Sequence, residues 1–179
     1  ASGIDPVIGC TDLGFSEASV QNQMRHAARR TVVYADSSKF GRASLVRVCP
    51  IEEVDCIITD HAPHAAEEKA DFEKAPNGVV GLETSLAATL TALYHTGEIS
   101  LNRVVELMCV NPRKLLGLEV PAIQPGKTAD LVIADINRKW TVDPEKLHSK
   151  SHNTVFKGMT LTGKPLVTIS KGIIKYDER

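Results

Sequence analysis

An acid and two imidazoles follow an apolar run in Ile57-Ile58-Thr59-Asp60-His61-Ala62-Pro63-His64. A positioned carboxylate can take up and return a proton, and carboxylates and imidazoles are the common oxygen and nitrogen ligands of zinc. Val54 to Ile58 reads as a buried parallel strand that delivers its polar groups at the C-terminal end. α/β enzymes place catalytic and metal-binding groups at that end. Pro63 forbids a regular helix through the turn. Asp60 also has a plainer reading, as a loop acid capping backbone amides. A second polar stretch is Asp36-Ser37-Ser38-Lys39-Phe40-Gly41-Arg42. There Ser37, Ser38, Lys39 and Arg42 supply hydroxyls and two cations, a complement suited to phosphate. Lys39 or Arg42 alone reads as a solvated surface charge.

A catalytic zinc site takes about three protein ligands and an open position. Asp60 offers one oxygen donor of a suitable type, and no His-x-His pair occurs in this sequence. His26 lies in a helical stretch and His95 near a helix end, where a structural role is expected.

The elements that must position these residues read as follows. Residues 1–15, rich in Gly, Asp and Pro, predict a loop. Ser16 is placed to cap a helix over 17–28, with Glu17 in its first turn and Arg25, Arg29 and Arg30 toward its negative end. Strands are expected at 31–35, 44–48 and 54–59. The stretch from Asp60 to about Val80 is a long loop, and loops of that length in a compact domain are usually functional. Leu82, Leu86, Leu90 and Leu93 share one face of a helix over 82–95, which Gly97 stops. Ser100 caps a second helix through Cys109, and Asn111-Pro112 opens a third. Beyond Gly117, Ala129 to Ala134 reads as a strand. Thr160 to Tyr176 reads as a hairpin, with turns at Gly163-Lys164 and Lys171-Gly172.

The 179 residues are 42% hydrophobic but only 4% aromatic, so the core must rest on Leu, Ile, Val and Ala. A net charge of -1 offers no basic field for nucleic acid. Neither a membrane-length apolar run nor a signal-peptide pattern is evident, so a cytoplasmic protein without membrane partners is expected. Cys10, Cys49, Cys56 and Cys109 form no CxxC pair and fit a reducing compartment.

Thr59-Asp60-His61-Ala62-Pro63-His64-Ala65-Ala66-Glu67-Glu68-Lys69 resembles the last-strand motif of dihydroorotases, in the amidohydrolase superfamily. The likeness continues in Lys74 to Thr84, Asn111-Pro112, Gly126 to Ile133 and Ser149 to Thr154, and covers about residues 54–179. The resemblance implies a cyclic amide hydrolase that interconverts carbamoyl-aspartate and dihydroorotate, a small-molecule substrate of pyrimidine synthesis. It implies that Asp60 ends the eighth barrel strand, meets the family's zinc and its bound hydroxide, and shuttles the proton. It also implies that His64 binds the substrate carboxylate and that Asn77 and Gly78 contact substrate through the backbone. His61 receives no ligand role. The family's zinc-binding histidines and bridging acid come from earlier strands that have no counterpart here. A whole (β/α)₈ barrel takes about 250 residues. Stable zinc binding and turnover are therefore not expected of this chain alone.

Residues 1–60 resemble something else. Ser2-Gly3-Ile4-Asp5, Arg29-Arg30, the Asp36 to Arg42 motif and Val54 to Asp60 are similar to the sensor domain of DeoR-type transcription regulators. That likeness implies sugar-phosphate recognition through Ser37, Ser38, Lys39 and Arg42. The expected organisation is thus a chimera, with a sensor-domain fragment over 1–59 and a dihydroorotase C-terminal fragment over 60–179. The expected fold class is α/β: a partial (β/α) barrel-like unit or a three-layer α/β unit. A C-terminal β-hairpin from a truncated β-sandwich would be appended to it. Unpaired strand edges on such a fragment predict self-association. The alternatives to a dihydroorotase-like function are a sugar-phosphate-sensing fragment and a chimera without activity.

Overall fold

The computed structural model describes residues 1–71, 73–120 and 122–179. Strands β1 (Gly3–Asp5) and β2 (Gly9–Asp12) form an antiparallel hairpin, and β4 (Val46–Cys49) pairs with the other side of β2. Strands β3 (Val32–Asp36) and β5 (Cys56–Asp60) pair in parallel, with Asp36 opposite Asp60 at their C-terminal ends. The opening residues, expected as a loop, therefore carry two strands. These are too short to show alternation. The turn between them is closed by the Asp5 carboxylate, which accepts from the Val7 and Ile8 amides at 2.9 and 2.8 Å. The expected 44–48 strand is also redirected, because it joins β2 in antiparallel fashion and not β3 and β5.

Helix α1 (Phe15–Ala27) starts at Gly14 and not at Ser16. The Ser16 hydroxyl donates to Glu17 at 2.8 Å instead of capping the helix. Helix α2 (Ser85–Thr89) runs on into a π-helical turn, Leu90–Tyr94. It begins later than the leucine spacing predicts, and Leu82 is 73% exposed. The reason lies in the backbone: the Leu82 amide is held by His61, so this residue is outside the helix and off its buried face. Helix α3 (Leu101–Val105) is capped by Ser100, whose hydroxyl accepts from the Arg103 amide at 3.2 Å. A π-helical turn, Glu106–Val110, joins it to α4 (Asn111–Leu115) without a break. Pro112 has no amide to donate, and its ring crowds the carbonyl four residues back. The wider π turn just ahead of it lets the helix continue where a separate one was expected.

Strands β6 (Leu131–Thr141), β7 (Thr160–Ser170) and β8 (Ile173–Asp177) form an antiparallel meander. The expected turn at Lys171-Gly172 is present between β7 and β8, with φ of 51° and 78°. Two positive φ values match the twist of the flanking strands. The turn expected at Gly163-Lys164 is absent, because both residues lie within β7. There Asp135 faces Lys164 and Lys139 faces Thr162, so β6 bulges opposite Gly163. The meander is not an appendage. The Thr162 amide donates to the Thr91 hydroxyl at 2.8 Å, and Val142, Phe156 and Leu161 are buried in the same cluster as Ile4, Ile57, Leu90, Leu93 and Leu107. Residues on both sides of Asp60 thus share one apolar core. No helix among the described residues is long and apolar enough to cross a membrane.

Candidate active site

Asp60 is the last residue of β5 and is exposed at the strand tip. The amides that a capping acid would accept go elsewhere. His61 Nδ1 accepts from the Gly81 amide at 3.1 Å and the Leu82 amide at 3.3 Å, which places the proton of the neutral ring on Nε2. His61 therefore ties the strand tip to the start of α2, and Asp60 is left facing outward.

The loop after Asp60 folds back on itself. The Ala62 amide donates to the Val79 carbonyl at 2.9 Å. Lys69 Nζ donates to the carbonyls of Pro76 and Gly78 at 2.5 and 2.9 Å. Asn153, arriving from the C-terminal half, donates to the Ala62 carbonyl at 2.9 Å and accepts from the His64 amide at 3.3 Å. Its own carbonyl accepts from the Val80 amide at 3.2 Å. His64 is thereby turned onto Asn77, with its Nε2 3.1 Å from the Asn77 carbonyl and its Nδ1 3.6 Å from Glu68.

Two close approaches fix the carboxylate's neighbours. A Cβ on Gly78 would overlap Ala62 and stand 3.5 Å from Asp60 Oδ2. A Cβ on Gly81 would run into the Asp60 carbonyl. Only bare backbone fits at either position. Gly78 is thus brought against Asp60, and His64 against Asn77, at one strand end; a carboxylate placed there can take up and return a proton.

The loop at Ser37 is built differently. Ser37 is fully buried, with its hydroxyl 3.3 Å from that of Thr84. Ser38 donates both its amide and its hydroxyl to Asp36, and Lys39 Nζ stands 3.6 Å from the same carboxylate. Arg42 is exposed. These four residues are not gathered into one open cradle, and Asp36 already occupies donors that a phosphate would need.

Glu83, His61 and Asn153 carry much of the site's construction and had no assigned role in the sequence reading. They lie inside the motif stretches, but their partners are distant in sequence. Glu83 accepts from the His148 and Ser149 amides at 3.0 and 3.1 Å and meets His148 Nδ1 at 3.0 Å. Partial burial works to raise its carboxyl, yet these donors outweigh it and hold the group below the ordinary carboxylate value. Such a group stabilises the fold above its ordinary pKa, and that stabilisation is lost as pH falls through the depressed value. Protection of the His148 and Ser149 amides, taken relative to their intrinsic exchange rate at each pH, is therefore expected to fall on acidification through the carboxylate range. In Glu83→Gln that protection should be low at every pH, and an unchanged protection profile in that variant would refute the clamp.

A cleft of about 1030 Å³ opens beyond His61, Leu82 and Glu83 toward Trp140, Lys164 and Tyr176. Among the described residues no three His, Cys, Asp or Glu side chains converge as an ion's ligand set. His61 Nδ1 is engaged by amides, and His64 by Asn77 and Glu68. The residues present do not fit a catalytic zinc unaided.

Residues 54–174 match the model of the amidohydrolase family, and residues 1–61 match that of the DeoR C-terminal sensor domain. The chain is 42% identical over 127 residues to the dihydroorotase of Acetivibrio thermocellus, a match covering 70% of this chain and 30% of that protein. It is 43% identical over 141 residues to the dihydroorotase of Clostridioides difficile, covering 78% of this chain and 33% of that protein. The chain thus spans about a third of the length of these curated relatives. Among solved structures it is similar to the L-hydantoinase (dihydropyrimidinase) of Arthrobacter aurescens. There the TM-score is 0.69 and the identity 28%, over 94% of this chain and 44% of that one. It also shares its fold with the inactive dihydroorotase-like domain of a Chaetomium thermophilum CAD-like multifunctional protein, at a TM-score of 0.58 and 15% identity, over 94% of this chain and 50% of that one.

Proposed function

The chain belongs to the amidohydrolase family, and from that premise we propose that residues 60–179 are the C-terminal portion of a dihydroorotase-type cyclic amide hydrolase. Residues 1–59 are then a fragment of a DeoR-type sensor domain joined to it through β5. In this reading the fold is part of a (β/α) barrel, with β5 as its last strand and β6 to β8 as part of the flanking β domain. Asp60 carries the proton between the attacking water and the ring nitrogen of dihydroorotate. His64 binds the substrate carboxylate, and the backbone at Asn77 and Gly78 holds the ring. The observation that supports this most is the closure of the 62–80 loop, which places Gly78 against the Asp60 carboxylate and His64 on Asn77.

The family's zinc finds no ligand set among the described residues, so the portion is expected to need the remaining strands of a complete barrel. Purified alone with added zinc, the chain should not open dihydroorotate. Grafted in place of the corresponding segment of the Acetivibrio thermocellus dihydroorotase, residues 54–179 should restore turnover. A soluble, folded graft that binds zinc yet shows no turnover would overturn the assignment.

Self-association belongs to the same reading. The parallel pair β3–β5 is only two strands wide, and Phe15, Met24 and Tyr34 are exposed at 72, 66 and 67%. Open edges and apolar surface of this kind favour pairing between copies. Light scattering should report a dimer or larger, and a monomer over a wide concentration range would refute it.

A further inference from the structure

Two of the four cysteines face each other across the N-terminal sheet. Cys10 on β2 is the direct antiparallel partner of Cys49 on β4. Directly opposed residues of an antiparallel pair project to the same face with Cα atoms about 4.5–5.5 Å apart, and the register of β2 against β4 shifts only beyond this pair, between Cys10 and Thr11. A disulfide requires about 4.4–6.8 Å. Both residues are buried, at 2 and 3% exposure, and both are free thiols. Cys56 is partnered by Val32 on another sheet, and Cys109 lies in a helix, so neither competes for this geometry.

We propose that Cys10 and Cys49 are a dithiol–disulfide pair, oxidised by a small-molecule disulfide to a cross-strand bond that locks β4 onto β2. The two sulfurs divide the chemistry between them. The neighbouring Cys49 sulfur and burial push the Cys10 thiol up, so Cys10 holds its proton. Cys10, with Arg25 and Arg47, holds the Cys49 thiol below its ordinary value against its burial and the Glu53 carboxylate, which makes Cys49 the readier nucleophile of the two. Strand β4 is an edge of its sheet and opens more readily than β2 at the centre. With glutathione disulfide as oxidant, the Cys49 thiolate attacks one sulfur and displaces one glutathione thiolate. Cys10 then loses its proton and attacks the Cys49 sulfur of the mixed disulfide, displacing the second glutathione. The protein loses two electrons and two thiol hydrogens, and one glutathione disulfide becomes two glutathiones.

The bond closes a covalent loop around α1 and β3, whose far end bears Asp36 beside Asp60. Oxidation therefore tightens the segment next to the strand tip without consuming any residue of the site.

The test uses the intact chain incubated with glutathione disulfide, alkylated, digested without reduction and mapped by mass spectrometry. A Cys10–Cys49 peptide should appear, with Cys56 and Cys109 recovered alkylated. The melting temperature of the oxidised form should rise by about 5 °C or more. In Cys10→Ser the cross-link should give way to a stable glutathione adduct on Cys49, a readout that depends only on that thiol being reachable. Four alkylated cysteines after oxidation at temperatures just below melting would overturn the proposal. So would a dominant cross-link through Cys56 or Cys109.

Discussion

Within the grafted dihydroorotase, Asp60→Asn is expected to lower kcat on dihydroorotate by about 10³ while KM changes little. Asparagine keeps the shape of the side chain but cannot accept and return a proton. The prediction distinguishes a proton carrier from a structural acid, because the structural task at this strand end is performed by another residue. His61 Nδ1 holds the Gly81 and Leu82 amides, so removing the Asp60 charge leaves the connection to α2 in place. The melting temperature of the isolated chain should therefore be unchanged in Asp60→Asn and lowered in His61→Ala. His64→Gln in the graft should act differently, raising KM more than it lowers kcat, because an imidazole that binds a carboxylate contributes to ground and transition states alike. A fall in kcat of less than tenfold in Asp60→Asn would remove Asp60 from the proton path.

The strand tip was legible because its signal is local. An apolar run that stops at Asp60 and is followed by a proline leaves few backbone choices, and β5 ends at that residue. The Ser100 cap and the Lys171-Gly172 turn were legible for the same reason, since each is decided by a few neighbouring residues. What escaped the sequence reading is decided by distant partners. Nothing near Leu82 announces that its amide is held by His61, so the leucine spacing placed it on a buried helical face. Gly163-Lys164 has the composition of a turn, but it lies in β7 opposite the bulge of β6 and against Leu90, both remote in sequence. The pairing of β4 with β2 rests on a hairpin of three- and four-residue strands with no readable period. The site divides in the same way. Asp60 at the end of β5 and His64, Asn77 and Gly78 on the loop that follows it are close in sequence and were read together. Asn153, which holds that loop shut, is separated from His64 by 89 positions.

The junction at β5 has a physical logic. The strand is buried at Cys56 and Ile57, and its register against β3 pairs Val32, Val33 and Tyr34 with Cys56, Ile57 and Ile58 before Ala35 meets Thr59 and the two aspartates meet at the end. The two family matches overlap over residues 54–61, which contain this strand. The cost of a junction there is set by how the new surfaces pack, and here one cluster runs from Ile4 in the first segment to Leu161 in the last. The segment with sensor-domain likeness is part of the same core as the amidohydrolase portion. The hydantoinase superposition, which covers 94% of the chain, necessarily takes in most of it as well.

That shared core makes Leu90 the most sensitive apolar position tied to the bulge. Its side chain is fully buried in the π turn and lies against Gly163 of β7, where it joins the helical layer to the C-terminal meander. Leu90→Ala is expected to cost about 3–5 kcal/mol, since the rigid bulge cannot collapse into the space left behind. Domains of this size are stable by about 5–15 kcal/mol, so urea titration should show a large fall in midpoint. Gly163→Ala supplies the converse. Its φ of +99° strains any side chain, at about 1–3 kcal/mol, and its added methyl would strike the Leu90 Cδ1. Truncating Leu90 removes that obstacle and leaves its Cβ at 3.4 Å, an ordinary contact. Gly163→Ala should therefore cost less in the Leu90→Ala background than in the parent, by about 1 kcal/mol or more, because the new methyl fills part of the vacated space while the backbone strain persists. Strictly additive losses in this cycle would mean that the two residues do not meet, and would leave the Thr91–Thr162 hydrogen bonds to join the meander to the helices.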